Sequence, residues 1–395
     1  MNKQITSLAE ANAKDLVRLL RDIIALASFS GEEENVVLRL KQEMEVLGYE
    51  QISIDPWGNL FGRIGSGDKI ILVDGHCDTV GTGNIELWKC DPFQGALSEN
   101  TIYGRGAADQ KGGLASAIYA GAIIKKYGIP EGVSYLVSSS VMEEDYEGAC
   151  LQLALEHQQL IPDVVLLTEP TNLRICLGQR GRLELKVRTE GVSCHGSAPE
   201  RGENAIYKMS AMLAEIEQLN NRLSSNSILG KGSVTVTNIR SSAPSLCAVP
   251  DFAEIHLDRR LTESESEESA LHEIMDLEAV KKNQALVYIP EYEAQCYTNK
   301  KITGIAYFPM WLMDRGEPHV QLAQQAFKQQ FSKEAELGVW DFSTNGVATK
   351  GIMNIPTIGF GPGEEQYAHS PHDQVNIDDL IKAAEFYAAF ALSYK

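Results

Sequence analysis

The stretch Ile70-Ile71-Leu72-Val73-Asp74-Gly75-His76-Cys77-Asp78 decides the fold. Four apolar residues in a row leave no polar face for water. The strand they predict is therefore buried on both sides, as at the centre of a parallel sheet. It runs straight into Asp, Gly and His. The same order recurs twice. Residues 133–139 lead into Val141-Met142-Glu143-Glu144, and residues 164–167 lead into Thr168-Glu169-Pro170. Helical patterns lie between, at 112–127 (opening in glycines and small residues) and at 149–157. Strands alternating with helices predict an α/β fold, a mostly parallel sheet with helices on both faces. Such sheets place their sites beyond the C-terminal ends of the strands, where the polar clusters fall.

Upstream, Leu16, Leu19, Leu20, Ile23 and Ile24 recur at helical spacing over 12–26. Ser28-Phe29-Ser30-Gly31 breaks that pattern, and Ser30 is the expected N-cap of a second helix over 32–47, ended by Gly48. Two short strands about Pro56-Trp57-Gly58-Asn59 follow. Downstream the style changes. Residues 182–190 alternate, with Leu183, Leu185 and Val187 on one face, and 233–239 and 252–257 read as half-exposed strands. With helices at 204–220 and 265–277, these predict a small α+β domain. The first style then returns, with helices at 321–330 and 378–392 and a strand at 357–360. The expected organisation is a catalytic domain from 1–181 and 294–395, with 182–293 inserted as a second domain.

The 395 residues suffice for two or three domains at roughly 100 to 200 residues each. Hydrophobic residues at 44% and charged residues at 23% exclude a disordered chain, a collagen and a coiled coil. The net charge of −19 opposes binding to nucleic acid or anionic lipid. No apolar run approaches the roughly 20 residues of a membrane helix, and residues 1–15 lack the pattern of a secretory signal. Seven cysteines, an odd number with no CxxC pair, read as reduced thiols of a cytoplasmic protein.

The candidate functional residues are His76 with Asp78, Asp109, Glu143 with Glu144, Glu169, and His369. Each alone has an ordinary structural explanation; Asp109, for instance, reads as a cap of the helix that follows. Together they carry chemistry. Two imidazoles and three carboxylates hold two divalent ions if one carboxylate bridges, and a further glutamate is left over as a base. Such ligands suit zinc, manganese or cobalt. Ligands at strand ends, far apart in sequence, point to a catalytic site rather than a zinc finger.

Five motifs in order resemble the M20 metallopeptidase and deacylase family, which includes acetylornithine deacetylase, succinyl-diaminopimelate desuccinylase, aminoacylase-1 and carboxypeptidase G2. They are Gly75-His76-Cys77-Asp78-Thr79-Val80, the run Tyr103 to Gly113, Met142-Glu143-Glu144, Thr168-Glu169-Pro170-Thr171 and Ala368-His369-Ser370. Arg259-Arg260-Leu261-Thr262, Phe342 to Gly346 and Gly359 to Gly363 look most like its selenium-metabolism-linked hydrolase branch. The resemblance implies that His76, Asp109 and Glu169 bind one ion, and Asp109, Glu144 and His369 the other. The ions would be zinc by default, with cobalt or manganese as alternatives. It implies that Asp78 orients His76 and that Glu143 is the general acid/base. The inserted domain becomes a lid and a homodimerisation domain. His195 would reach the partner subunit's site to stabilise an oxyanion, with a turn-capping role as the ordinary reading. Arg260 would take a substrate carboxylate, with Arg259 as its rival because neighbours on a strand face opposite ways.

The chain departs from the family pattern at Cys247, where many relatives carry Asn, at Asn345, often Asp, and at Asp373, usually Glu. None of these is a metal ligand, so they point to altered substrate preference. Cys77 and Cys194, beside proposed site residues, read as small spacers. The activity implied is hydrolysis of an amide in a small N-acyl amino acid-like substrate. The rivals are a dipeptidase or exopeptidase, for which the sequence shows no acidic group to receive a substrate amine, and a non-catalytic metal-binding protein.

Overall fold

The computed structural model describes residues 2–394. At the centre of its larger sheet, Val133–Ser140, Lys69–His76, Val164–Leu167 and Thr357–Gly359 lie side by side, every pair parallel. All residues of Val133–Ser140 and Val164–Leu167 are buried, as their apolar runs require. The flanks are antiparallel, with Gln51–Ile54 and Leu60–Ile64 on one side and Ile175–Gln179 and Trp311–Leu312 on the other.

Helices Asn2–Ile24, Gly112–Tyr127 and Ile377–Ser393 pack together against this sheet. Leu16, Leu19, Leu20, Ile23 and Ile24 are all at most 2% exposed, and each contributes roughly 2 kcal/mol by leaving water. The first helix starts at Asn2, ten residues before the sequence pattern does, because Ile5 and Ala9 extend its buried stripe through otherwise polar residues. The second helix spans Glu34–Leu47 and is preceded by Glu33, not by a capping Ser30. The Ser30 hydroxyl instead donates to Asp78 at 2.7 Å. Gly48, at φ 75°, ends the helix as expected. The opening glycines of Gly112–Tyr127 have a packing reason. A Cβ on Gly113 would lie 2.2 Å from the Thr168 carbonyl, so only glycine lets this helix abut the loop that carries Glu169.

Two residues after Gln179 the chain enters a second, antiparallel sheet. It orders Ser233–Ser242, Phe252–Leu261, Gly181–Glu190 and Leu286–Tyr288, with Tyr307–Phe308 also on Gly181–Glu190. Leu183, Leu185 and Val187 face inward with Ile255 and Leu257, against Met209, Met212 and Ile216 of helix Ala205–Arg222 and Ile274 of Glu267–Met275. The opposite face is polar and turns toward the first sheet's strand ends. Among the described residues no helix is long and apolar enough to cross a membrane.

Glu33 ties the two parts of the sheet's rim together. Its side chain accepts from the amides of Gly31, at 2.9 Å, and Met142, at 3.1 Å. Burial, reinforced by neighbouring Asp78, pushes its carboxyl up to about 7. A carboxyl that holds its proton more tightly in the folded state stabilises most at low pH, and that contribution fades as pH rises from about 4.5 to about 7. Glu33→Gln removes this dependence. Its stability relative to the parent is expected to improve from pH 5 to pH 8, by on the order of 3 kcal/mol. Denaturant melts at both pH values measure this, and a constant difference would refute it.

Candidate active site

Three neighbouring parallel strands deliver most of the site. His76 ends one strand and lies opposite Ser140, the last residue of the next. Glu143 and Glu144 follow Ser140 in a short loop. On the other side Asp74 lies opposite Leu167, so Glu169, two residues on, comes level with His76. Asp109 arrives from the irregular turn Ala107–Lys111, and His369 from the loop before Gln374–Asn376.

The groups meet closely. His76 Nε2 lies 3.2 Å from Asp109 Oδ1, 3.6 Å from Glu143 Oε2 and 3.7 Å from Glu169 Oε1. His369 Nε2 lies 3.2 Å from Asp109 Oδ2 and 2.8 Å from Glu144 Oε2. Asp109 thus stands between the two imidazoles, one oxygen to each. Two sets of ligand atoms converge within metal-binding range: His76 with Glu143 and Glu169, and His76 with Asp109 and Glu144. Burial pushes the Glu143 and Glu169 carboxyls up, although His76 opposes it. Burial also pushes Asp109 up, but its hydrogen bonds to His369 and His76 prevail and hold it below the carboxylate range. The buried atoms Glu143 Oε1 and Glu144 Oε1 have no hydrogen-bond partner among the described residues. Four crowded carboxylates, two imidazoles and two unpartnered oxygens form a donor set that fits divalent cations.

Asp78 holds the arrangement in two ways. Its backbone carbonyl accepts from His76 Nδ1 at 2.9 Å, whereas its carboxylate lies 3.6 Å from that nitrogen. The carboxylate instead accepts from the amides of Glu143, at 3.2 Å, and Glu144, at 3.0 Å. With Glu33 on the Met142 amide, three successive amides of the loop end on buried carboxylates. Sequence reasoning missed Glu33, because nothing local distinguishes it from the other glutamates of Glu32-Glu33-Glu34.

Two departures from the family pattern have structural explanations. Asn345 donates to Asp74 and to Ser140, both at 2.8 Å, and accepts from the Gly148 amide. An aspartate there would set two carboxylates face to face. Asp373 accepts from the amides of Gly106 and Ala108 at 2.7 and 2.8 Å and from Arg105 at 3.1 Å, bracing the turn that presents Asp109. Cys77 is fully buried, which pushes its thiol up and suits a spacer.

The site opens into a cleft of about 730 Å³ between the two sheets. Arg182, Glu184, Lys186, His256 and Arg260 line it from the small sheet, and Asp145, Tyr146 and Tyr292 line it from the other wall. Of the two rival arginines, Arg260 faces the cleft, while Arg259 is fully buried on Glu265 and Glu273. His195 does not line the cleft. It is exposed, in backbone pairing with Ala248, and its Nδ1 accepts from the Ser197 amide at 3.1 Å, which leaves Nε2 as the donor.

The chain is similar to known proteins in sequence and in fold. The model of peptidase family M20/M25/M40 matches residues 72–393. The chain is 43% identical to the uncharacterized protein YgeY of Escherichia coli K12, covering 99% of this chain and 97% of that one. It is 27% identical to succinyl-diaminopimelate desuccinylase of Legionella pneumophila (strain Paris), over 65% of this chain and 70% of the other. The fold superposes on aminopeptidase PepT of Bacillus cereus with a TM-score of 0.75 at 19% identity, covering 97% and 98% of the two chains. It also superposes on YXEP of Bacillus subtilis, described as a dinuclear metal-binding M20 peptidase, with a TM-score of 0.70 at 13% identity over 97% and 98%.

Two substitutions test the centre. Asp109→Ala is expected to lower divalent-metal content, read by elemental analysis after reconstitution; undiminished content would remove Asp109 from the ligand set. Asp78→Ala is expected to weaken metal binding by about 10- to 100-fold, because both His76 and the Glu143–Glu144 loop lose support.

Proposed function

The chain belongs to peptidase family M20/M25/M40, and we propose that it is a two-metal amidohydrolase acting on small N-acyl amino acid-like substrates. The observation that carries this reading is the convergence of His76, Asp109, Glu144, Glu169 and His369 beside Glu143, at the mouth of a cleft whose other wall presents Arg260. His76, Asp109 and Glu169 would hold one ion and Asp109, Glu144 and His369 the other, zinc being the default for such ligands and cobalt or manganese the alternatives. When bound, the ions polarise the amide carbonyl and acidify water.

The rest falls to the chain's own residues. Glu143 has a buried, unpartnered oxygen, and burial raises its proton affinity. Such a group takes a proton from the attacking water and returns it to the leaving amine. Arg260 lines the cleft and donates to Asp258 through Nε and Nη2 at 2.8 and 3.0 Å, which leaves its Nη1–Nη2 edge for a substrate carboxylate. His195 lies outside its own chain's cleft with Nε2 as a donor. It would serve the oxyanion of a second subunit, in a homodimer built on the exposed edge strand Ser233–Ser242. The motifs at 259–262, 342–346 and 359–363 support placement in the selenium-metabolism-linked hydrolase branch.

One observation favours a second reading, a dipeptidase. Asp145 and Glu291 line the cleft and supply the acidic group for a substrate amine that sequence reasoning did not find. Turnover of metal-reconstituted protein on N-acyl amino acids against dipeptides separates the two. Glu143→Gln is expected to lower turnover by about 10²- to 10⁴-fold while both ions remain bound; loss of metal would instead make Glu143 a ligand. Mixing Glu143→Gln with His195→Ala subunits is expected to restore part of the activity, and no recovery after proven subunit exchange would refute action across the dimer.

A further inference from the structure

The cleft wall formed by the small sheet carries charge in an ordered way. Arg182 lies opposite Arg260, Glu184 opposite Asp258, and Lys186 opposite His256. Like charges directly opposite each other destabilise a sheet. Here the first two rows are neutralised lengthwise. Arg260 binds Asp258 at 2.8 Å, Arg182 binds Glu184 at 2.8 Å and Glu147 at 2.6 Å, and His256 binds Glu184 at 3.0 Å. Lys186 is left over. It lines the cleft, and among the described residues no carboxylate comes within ion-pair distance of it. Glu291 also lines the cleft and makes no ion pair with Lys186. Lys186 and His256 also line an adjoining hollow of about 460 Å³, so the groove continues past the Arg260 row along the sheet.

We propose that Lys186 is the anion-binding group of a distal subsite, so that preferred substrates carry a second carboxylate beyond the one Arg260 receives. This rests on the amidohydrolase reading above. The amide sits at the metal ligands and Arg260 takes the first carboxylate. Lys186 lies four residues further along its strand than Arg182, or about 13 Å, a span that two long flexible side chains shorten. The second anion therefore belongs to the amine half of the substrate. It passes over the Glu184–Asp258 row, whose charges are already compensated, and reaches Lys186, which is not compensated among the described residues.

The test compares N-acetylglutamate with N-acetylglutamine, and N-acetyl-2-aminoadipate with its ω-amide, on the metal-reconstituted enzyme. Each pair differs only in the distal charge. The parent is expected to favour the ω-carboxylate in at least one pair by about tenfold or more in kcat/KM, chiefly through KM. Lys186→Met keeps the apolar stem and removes the charge. It is expected to abolish that preference while changing the ω-amide reaction by less than about threefold; Lys186→Arg should retain the preference. No preference in the parent at either length, or an undiminished one in Lys186→Met, overturns the proposal. If the parent hydrolyses none of the four and no other N-acyl amino acid, the amidohydrolase reading fails on its own. Calorimetric titration of N-acetyl-2-aminoadipate and its ω-amide into parent and Lys186→Met then decides the subsite. Tighter binding of the acid by the parent alone supports it, and equal binding refutes it.

Discussion

Four carboxylates that repel one another are held side by side, and most of the structure around them follows from that constraint. Asp109, Glu143, Glu144 and Glu169 share one small volume with two imidazoles. Repulsion on this scale would splay flexible side chains apart, so the backbone must be pinned. Asp78 and Glu33 do this by accepting three consecutive amides of the Met142–Glu144 loop. Asp373 does the same for the turn before Asp109. The braces are themselves buried acids, so the strand ends concentrate negative charge well beyond the ligands alone. A site of this composition is preorganised for cations.

The parallel sheet supplies the spacing. Adjacent strands lie about 4.8 Å apart, close to the separation at which side chains from neighbouring strands converge on one ion. Strands that end level with one another present Glu143–Glu144, His76 and Glu169 as a row. Gly113 lets the helix after Asp109 press against the Thr168 carbonyl and closes the row from the side. The small sheet contributes differently. Its inner face is an ordinary apolar layer on helices, and its outer face is a polar wall set across the cleft. The candidate metal ligands and the charged cleft wall thus reside on separate sheets.

The departures at Asn345 and Asp373 show how local context redefines a motif. Both looked like substrate-side changes in sequence. In the structure neither lines the cleft. Asn345 supplies two donors to Asp74 and Ser140 beneath His76, and Asp373 braces a turn. Their effect on chemistry is through position, by keeping ligand-bearing strands and loops in register.

The sequence alone determined the apolar runs that become the central strands, the alternation that becomes the small sheet, and the ligand-type residues that follow three strands. These are properties of consecutive residues, because burial on two faces, burial on one face and strand termination each leave a local pattern. Asp78 was visible two residues from His76, but its hold on the Glu143 and Glu144 amides was not. Only the tertiary structure decided that Arg260 faces the cleft while Arg259 is buried, that His195 stands apart from its own chain's cleft, and that Lys186 has no ion-pair partner among the described residues. Each depends on what lies across a register or a gap between elements distant in sequence. No local spacing records that, because it is set by which strands pair and how the two sheets face each other.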